Sequence, residues 1–419
     1  MAQLDRFLRD HSHLTRRHFL RLGVASAALF SGRGSSSRAN DLPAELQEWL
    51  EKLESYLTAP DKFGDVSRGT PLPHSLSDEK RTEVGLTRET WCLEVIADEE
   101  HPARIKKPMT KAEGSALNFN GLMQLAETHA VKFAKVMTCL NMGCPLGMGI
   151  WEGVPLREII WRTQPIENLR RVFYYGYHND EPKQMFRSSL PIGRVLEDDY
   201  DLPPVILCYK LNGQWLPPHR GGPVRVVVPE AYGFKSIKWL SHVVLTNLAY
   251  GNDTYIEGNN DIDSPMKSFA ATLSVPKEVD ANRPIPVTGY AQVGISGVSK
   301  VQIFVCQKGA EPIQDPYFIS ANWIDAAILA PPAPDSWGGD LANAAILENA
   351  HGFDQAGRPK SWPMRLTKLH WAALTPGLPA GEYVLRSRTV DEKGHGQPMP
   401  RPFRKSGHAE LELVRFIVK

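Results

Sequence analysis

One cysteine in this chain is presented as a reactive group would be. In KVMTCLNMGCPLGMGIWEGVPL, Lys135 to Leu156, Cys139 ends an apolar run and is followed by Gly143, Pro145, Gly147 and Gly149, residue types that let a backbone approach a bound group closely. Val136 and Met137 are expected to be the tail of a buried strand, so the thiol stands where strand gives way to loop. A thiol so placed is a candidate metal ligand, although free cysteine is among the most buried residue types and commonly only packs. A second stretch, NGQWLPPHRGGPVRVVVPEAYGFKSIKWL from Asn212 to Leu240, sets Arg225 inside an otherwise buried β-run. Burying an unpaired guanidinium is expensive. Arg225 must therefore meet an anion, either a protein carboxylate or a ligand phosphate, and its planar fork suits both. Gly233 to Lys238 then offers backbone N–H groups and two lysines around Ser236, a candidate phosphate clamp.

The elements around these groups read as a β-rich protein with short helices. Asp41 to Leu57 places Leu46, Trp49, Leu50, Leu53 and Leu57 on one helical face, for packing alone. Lys62 to Glu83 is polar, with Pro71 and Pro73, and reads as an extended solvated arm from which Arg68 and His74 could reach a site. Trp91 to Ile96 alternates like a half-buried strand, Gly121 to Phe133 reads as a helix, and Trp151-Glu152-Gly153-Val154 as a turn before a short helix over Glu158 to Trp161. Arg171 to Tyr177 is strand-like. The connection from Tyr177 to Pro191 carries His178, Asp180, Arg187, Ser188 and Ser189, and such connections often hold ligand contacts; His178 is taken as one. From Met266 to Lys419 short alternating segments predict an antiparallel sandwich, interrupted by an irregular excursion, Ala330 to Pro363, long enough to wrap a neighbour or shield a site.

Totals set the limits. At 419 residues the chain exceeds one ordinary core and fits two domains with extensions. Lys+Arg of 48 against Asp+Glu of 47 leaves +1, which gives no electrostatic case for nucleic acid. Five cysteines leave at least one unpaired within the chain, and the absence of CxxCH excludes a c-type haem attached to it. Near the start, Arg16-Arg17 precede an apolar run, Leu22 to Phe30, far shorter than the roughly 20 residues of a membrane span. It reads as a twin-arginine export signal ending near Ser37-Arg38-Ala39, which predicts a periplasmic location.

With these blocks in hand, the chain resembles the sulfite oxidase family of molybdenum-cofactor enzymes. The motifs are the Cys139 strand, Trp151-Glu152-Gly153-Val154-Pro155-Leu156, Ser188-Ser189-Leu190-Pro191 and the Asn212 to Leu240 block. Gly289-Tyr290-Ala291, Trp371-Ala372 and RSRTVDEKGHGQP, Arg386 to Pro398, stand where the family's immunoglobulin-like dimerisation domain has its recurring motifs. The resemblance implies an α+β fold: a mixed sulfite-oxidase-type molybdopterin-binding domain followed by an all-β immunoglobulin-like sandwich. The expected division is a signal over 1–39, a helix and arm over 40–83, a catalytic domain over 84–260 and a dimerisation domain over 266–419.

It further implies molybdenum on a single pyranopterin, with Cys139 as the thiolate ligand and Arg225, Ser236, Ile237 and Lys238 holding the pterin phosphate. Two departures bear on the substrate. Leu140-Asn141-Met142-Gly143-Cys144 replaces the basic run that follows the ligand cysteine in sulfite-oxidising members, and Arg220, beside His219, stands where the family commonly has His or Asn. Arg220 and His219 are therefore the expected catalytic or substrate groups, with Arg187 and Arg68 as further sources of charge. The expected reaction is oxygen-atom transfer involving a small oxyanion or sulfoxide, either sulfite oxidation or sulfoxide reduction. Electrons would pass to or from a separate cytochrome or quinone-linked membrane protein, and a homodimer is compatible with the last domain. The alternative is a binding or assembly module without turnover, against which Cys139 and the intact clamp both argue.

Overall fold

The computed structural model describes residues 42–140, 142, 144–199, 201–258, 263, 265–312, 314–315, 318–397 and 411–419. The twin-arginine segment expected over 1–39 lies outside the described residues. Ten strands carry the first part: β1 Cys92–Ala97, β2 Leu117–Asn118, β3 Val131–Thr138, β4 Pro145–Pro155, β5 Arg171–Gly176, β6 Arg187–Pro191, β7 Ile206–Leu211, β8 Gln214–Trp215, β9 Arg225–Val227 and β10 Leu240–Thr246. They form two sheets, one in the order β2-β1-β10-β5-β6 with β1 and β10 parallel, the other in the order β3-β4-β7-β8 with β9 beside β7. The helix Phe119–His129 starts where the Asn118 side chain accepts the Gly121 amide at 2.8 Å. Its Leu122 and Leu125 join Ile159 and Ile160 of the helix Leu156–Arg162 between the sheets, against Val154, Leu207, Val226 and Val243.

The β3–β4 hairpin is buried on both faces, and its alternation divides the two environments. Phe133, Met137 and Trp151 face Phe63, Ile206 and Leu211. Ala134, Val136, Met148 and Ile150 face Tyr56, Leu57 and the excursion's Trp337, Leu347 and Phe353. Backbone bonds tie the layers: Leu57 N to Trp337 O at 2.9 Å, His351 N to Lys132 O at 2.7 Å and Val136 N to Leu366 O at 2.8 Å. The excursion does wrap a neighbour.

The second part holds β11 Phe269–Ser274, β12 Glu278–Val279, β13 Ile285–Gln292, β14 Lys300–Gln307, β15 Ile324–Ile328, β16 Lys368–Thr375, β17 Gly381–Val390 and β18 Val414–Val418. The order is β11-β13-β16-β15-β14-β17-β18-β12, antiparallel except for β12 with β18. The sheet folds over so that β11 meets β17, with Thr272 Oγ1 and Ser387 Oγ 3.4 Å apart, and encloses Val287, Val301, Ile303, Trp371 and Leu385.

Several local expectations need correction. Trp151 to Val154 is no turn but the middle of β4; a Cβ on Gly153 would sit 2.3 Å from the Leu207 carbonyl oxygen, so this glycine marks close strand packing. Gly147 and Gly149 likewise lie in β4 rather than in the loop. The first helix is only Ala44–Leu50, because Leu57 is drawn away into a bridge with Gly338. The next helix ends at His129, since Val131 to Phe133 already belong to β3. Ser188 and Ser189 are buried in β6, held by Asp253 rather than exposed on a connection.

Asn212 fastens three separate stretches. Its Oδ1 accepts the Ile150 amide at 2.9 Å, and its Nδ2 donates to the Thr58 carbonyl at 3.0 Å and the Gly339 carbonyl at 2.7 Å. Asn212→Ala strands buried polar groups that each cost about 1–3 kcal/mol, so the chain should lose about 3 kcal/mol. Urea denaturation should show a lower midpoint with an unchanged slope.

Candidate active site

A cavity of about 360 Å³ opens at the end of β3, and the sequence-predicted Cys139, Arg220, Arg225, Ser236 and Lys238 all line it. A larger cleft of about 1570 Å³ lies elsewhere, around Lys132, Asp325, His351 and Glu392. It contains none of the candidate groups and its charges are mixed, so size does not locate the chemistry.

Cys139 follows Thr138, a fully buried residue whose Oγ1 hydrogen-bonds Gln292 of β13. The thiol is free and half-buried. Among the described residues no three His, Cys, Asp or Glu side chains gather as a metal cluster.

Arg225 is 4% exposed, and both sequence alternatives for its partner can now be weighed. Among the described residues no carboxylate pairs with it: Nη1 donates to the Arg220 carbonyl at 2.8 Å, Nη2 to the Ser236 carbonyl, and Nε has no partner. The guanidinium lies 5.3 Å from the Trp151 ring centre. Burial pushes it down to about 10, and the Arg220 charge adds to the effect. Arg220, 5% exposed, donates from Nη1 to the Gly64 carbonyl at 3.0 Å and leaves its own Nε unpartnered.

Lys238 completes the cationic group. Its Nζ donates to Asp65 Oδ1 at 3.0 Å, Ser67 Oγ at 2.6 Å and the His219 carbonyl at 2.8 Å. Burial first, and Arg225 second, lower it to about 7. Burial raises the Asp65 carboxyl, but hydrogen bonds from Ser67 and the Lys238 charge outweigh that and hold it well below the usual range. Two buried guanidinium cations and Lys238, which is partly charged near neutral pH, thus face one carboxylate, an excess of positive charge suited to an external dianion such as a phosphate ester.

The turn Gly233–Lys235 places these groups. Lys235 points the other way from Lys238, into a fully buried pair with Asp253 at 2.7 Å, and donates to the Ser189 carbonyl at 2.9 Å. Of the two lysines in GFKSIK, only Lys238 reaches the cavity. Ser236 reaches it too, and its Oγ also accepts the Val228 amide at 3.1 Å. Gly221, at φ +99°, is required because a Cβ there would come within 2.9 Å of the Lys238 backbone.

Three predicted residues do not line the cavity. The His219 ring turns to the Pro60 carbonyl at 3.3 Å, and burial, then Arg220, lower its basicity. The Ile237 side chain packs in the first core. His178 lies off the cavity wall, its buried Nδ1 unpartnered among the described residues. The sequence reading missed Phe63 and Asp65, because it treated the arm as solvated; Phe63, Val66 and Arg68 are in fact cavity wall. Arg68 donates to the Tyr255 hydroxyl at 2.9 Å and lies over the Phe186 and Tyr255 rings. Asp65-Val66-Ser67, whose aspartate accepts the Ser67 amide at 2.8 Å, was the available signal for a built turn.

Residues 87–253 match the family model described as oxidoreductase molybdopterin binding domain. NADH nitrate reductase of Volvox carteri is 25% identical over 182 residues, covering 36% of this chain and 21% of that protein. Mitochondrial sulfite oxidase of Homo sapiens is 34% identical over 95 residues, covering 22% of this chain and 17% of that one. The matched stretches therefore span about a fifth of these relatives. The crystal structure of the sulfane dehydrogenase SoxCD from Paracoccus pantotrophus shares the fold, with a TM-score of 0.53 at 15% identity over 92% of this chain and 94% of that one. Cys139, Arg220, Arg225, Ser236 and Lys238 all fall within residues 87–253, and that part of the chain is a molybdopterin-binding oxidoreductase domain similar to those of sulfite oxidase and nitrate reductase.

Proposed function

We propose that this enzyme is exported to the periplasm and transfers an oxygen atom to or from a small sulfur-containing substrate. The observation that carries the reading is Arg225, a buried guanidinium bonded only to carbonyls, on the same cavity wall as a free thiol. The residues fit the family's molybdenum–molybdopterin group: the cations outnumber Asp65, two guanidinium Nε atoms lack partners among the described residues, and no cluster of three His, Cys, Asp or Glu side chains among those residues competes for a metal. That group, when bound, supplies two-electron redox chemistry and the transferable oxygen.

The chain's own residues bind and orient. Cys139 would ligate the metal as a thiolate, a soft donor for a soft-ligand centre. Arg225, Lys238 and the Ser236 turn would hold the phosphate. Arg220 would present positive charge to the substrate side, a role the ring of His219 does not share because it faces Pro60. The rim carries Val66 and Met142, 43% and 57% exposed, with Arg68 as its cation. Such a rim favours a sulfur compound with an apolar body over free sulfite. We read the second unit as the immunoglobulin-like dimerisation domain, and a separate electron carrier as the redox partner.

Protein purified folded from the exported fraction should contain molybdenum and release a fluorescent pterin. Folded protein without either would end this reading. Cys139→Ser trades the thiolate for a weakly acidic hydroxyl, so turnover should be nearly abolished with folding and pterin content kept, whereas Cys144→Ser keeps substantial activity; the reverse pattern would identify the wrong sulfur. Arg225→Met removes a charge-assisted interaction of about 1.5–3 kcal/mol, so pterin occupancy at limiting cofactor should fall roughly ten- to a hundredfold. The cofactor-free variant should melt close to cofactor-free wild type, because no protein carboxylate is stranded and the lost bonds to the Arg220 and Ser236 carbonyls are offset by removal of an uncompensated buried charge.

A further inference from the structure

We propose that Cys139 and Cys144 form an intramolecular disulfide when Cys139 carries no metal, and that this bond bars metal loading until it is reduced. The inference rests on Cys139 being the metal ligand. Thr138 of β3 and Pro145 of β4 form the last rung of the hairpin, so Cys139 and Cys144 leave the ladder together, one from each strand. In such a rung the Cα atoms of Thr138 and Pro145 are about 4.5–5.5 Å apart, so the two cysteines start one residue beyond a pair of positions within the roughly 4.4–6.8 Å that a disulfide spans. Both thiols are free and half-buried. Cys139 lines an open cavity, and Met142 between them is 57% exposed, so a small oxidant can reach the pair. Cys208, by contrast, is fully buried and pushed up to about 12, which leaves it inert.

The chemistry is thiol–disulfide exchange with a low-molecular-weight disulfide. The Cys139 thiolate attacks one sulfur of the oxidant, breaking its S–S bond and releasing one thiol. The Cys144 thiolate then attacks the mixed disulfide at the Cys139 sulfur and releases the second thiol. Two protein thiols lose two electrons and two protons, and one oxidant disulfide becomes two thiols. The product holds the ligand sulfur in a covalent bond, so an oxidising compartment would seal any chain that arrived unloaded.

The test uses the full chain, prepared with its cofactor and from a host unable to make pterin, each treated with oxidised glutathione and mapped by peptide mass spectrometry. Expected is a Cys139–Cys144 crosslink in the cofactor-free chain, with two of its five thiols lost, and at least tenfold less crosslink in the loaded chain. Dithiothreitol should then restore pterin and metal uptake. Glutathione attached to Cys139 with no crosslink would overturn the inference while leaving Cys139 as an accessible ligand. Equal crosslinking in both preparations would instead overturn the assignment of Cys139 to the metal. Cys144→Ser should abolish the crosslink and take up metal after oxidation and reduction no worse than before; retained crosslinking of Cys139 to another cysteine would also refute the pair.

Discussion

A guanidinium buried without a countercharge is the constraint on which this structure turns. Arg225 has carbonyl partners but no carboxylate. Two other buried cations show why that matters. Lys235 is neutralised by Asp253 in a fully buried pair. Lys135, bonded to the Pro229 and Ala231 carbonyls at 2.7 Å each and to the Met266 sulfur at 3.7 Å, is lowered by burial to about 7 and can shed its proton. Arginine has no such exit, since it stays protonated under any physiological condition. Among the described residues no carboxylate pairs with that charge, and the β7–β9 pairing, the Gly221 crossing and the Ser236 turn all serve to keep it there.

The second unit is part of the site's support rather than an appendage. Gln292 of β13 hydrogen-bonds Thr138, next to Cys139, and donates to the Lys267 carbonyl at 2.7 Å. Thr138 is fully buried, so the bond that fixes the end of β3 is shielded from water. The position of the thiol is thereby referenced to both units.

Much of the site was legible because its residue types are costly where they stand. An arginine in a run of valines, and a cysteine at the junction of strand and glycine-rich loop, announce a need that packing alone does not satisfy. What was not legible depended on long-range pairing. Asp65 and Phe63 come to the cavity from an arm whose composition reads as solvated, and only the tertiary contacts with Lys238 and Trp151 bring them in. Gly153 looked like a turn because local sequence does not distinguish a glycine needed for φ from one needed for space. His219 failed for a similar reason: a one-residue offset decides whether a ring or its neighbour faces the cavity, and here Arg220 does. The segment motifs also hid the pairing of Ser188 and Ser189 with Asp253, far downstream in sequence.

The excursion has a consequence for the order in which the protein matures. One face of the β3–β4 hairpin is completed only by Trp337, Leu347, Phe353 and Leu366, roughly two hundred residues later in the chain. A ribosome must therefore deliver most of the polypeptide before the strand bearing Cys139 acquires its full backing. Until then the hairpin's apolar side is uncovered and its end is not yet anchored to Gln292. Completion of the wall beside Cys139 thus waits for the last third of the chain.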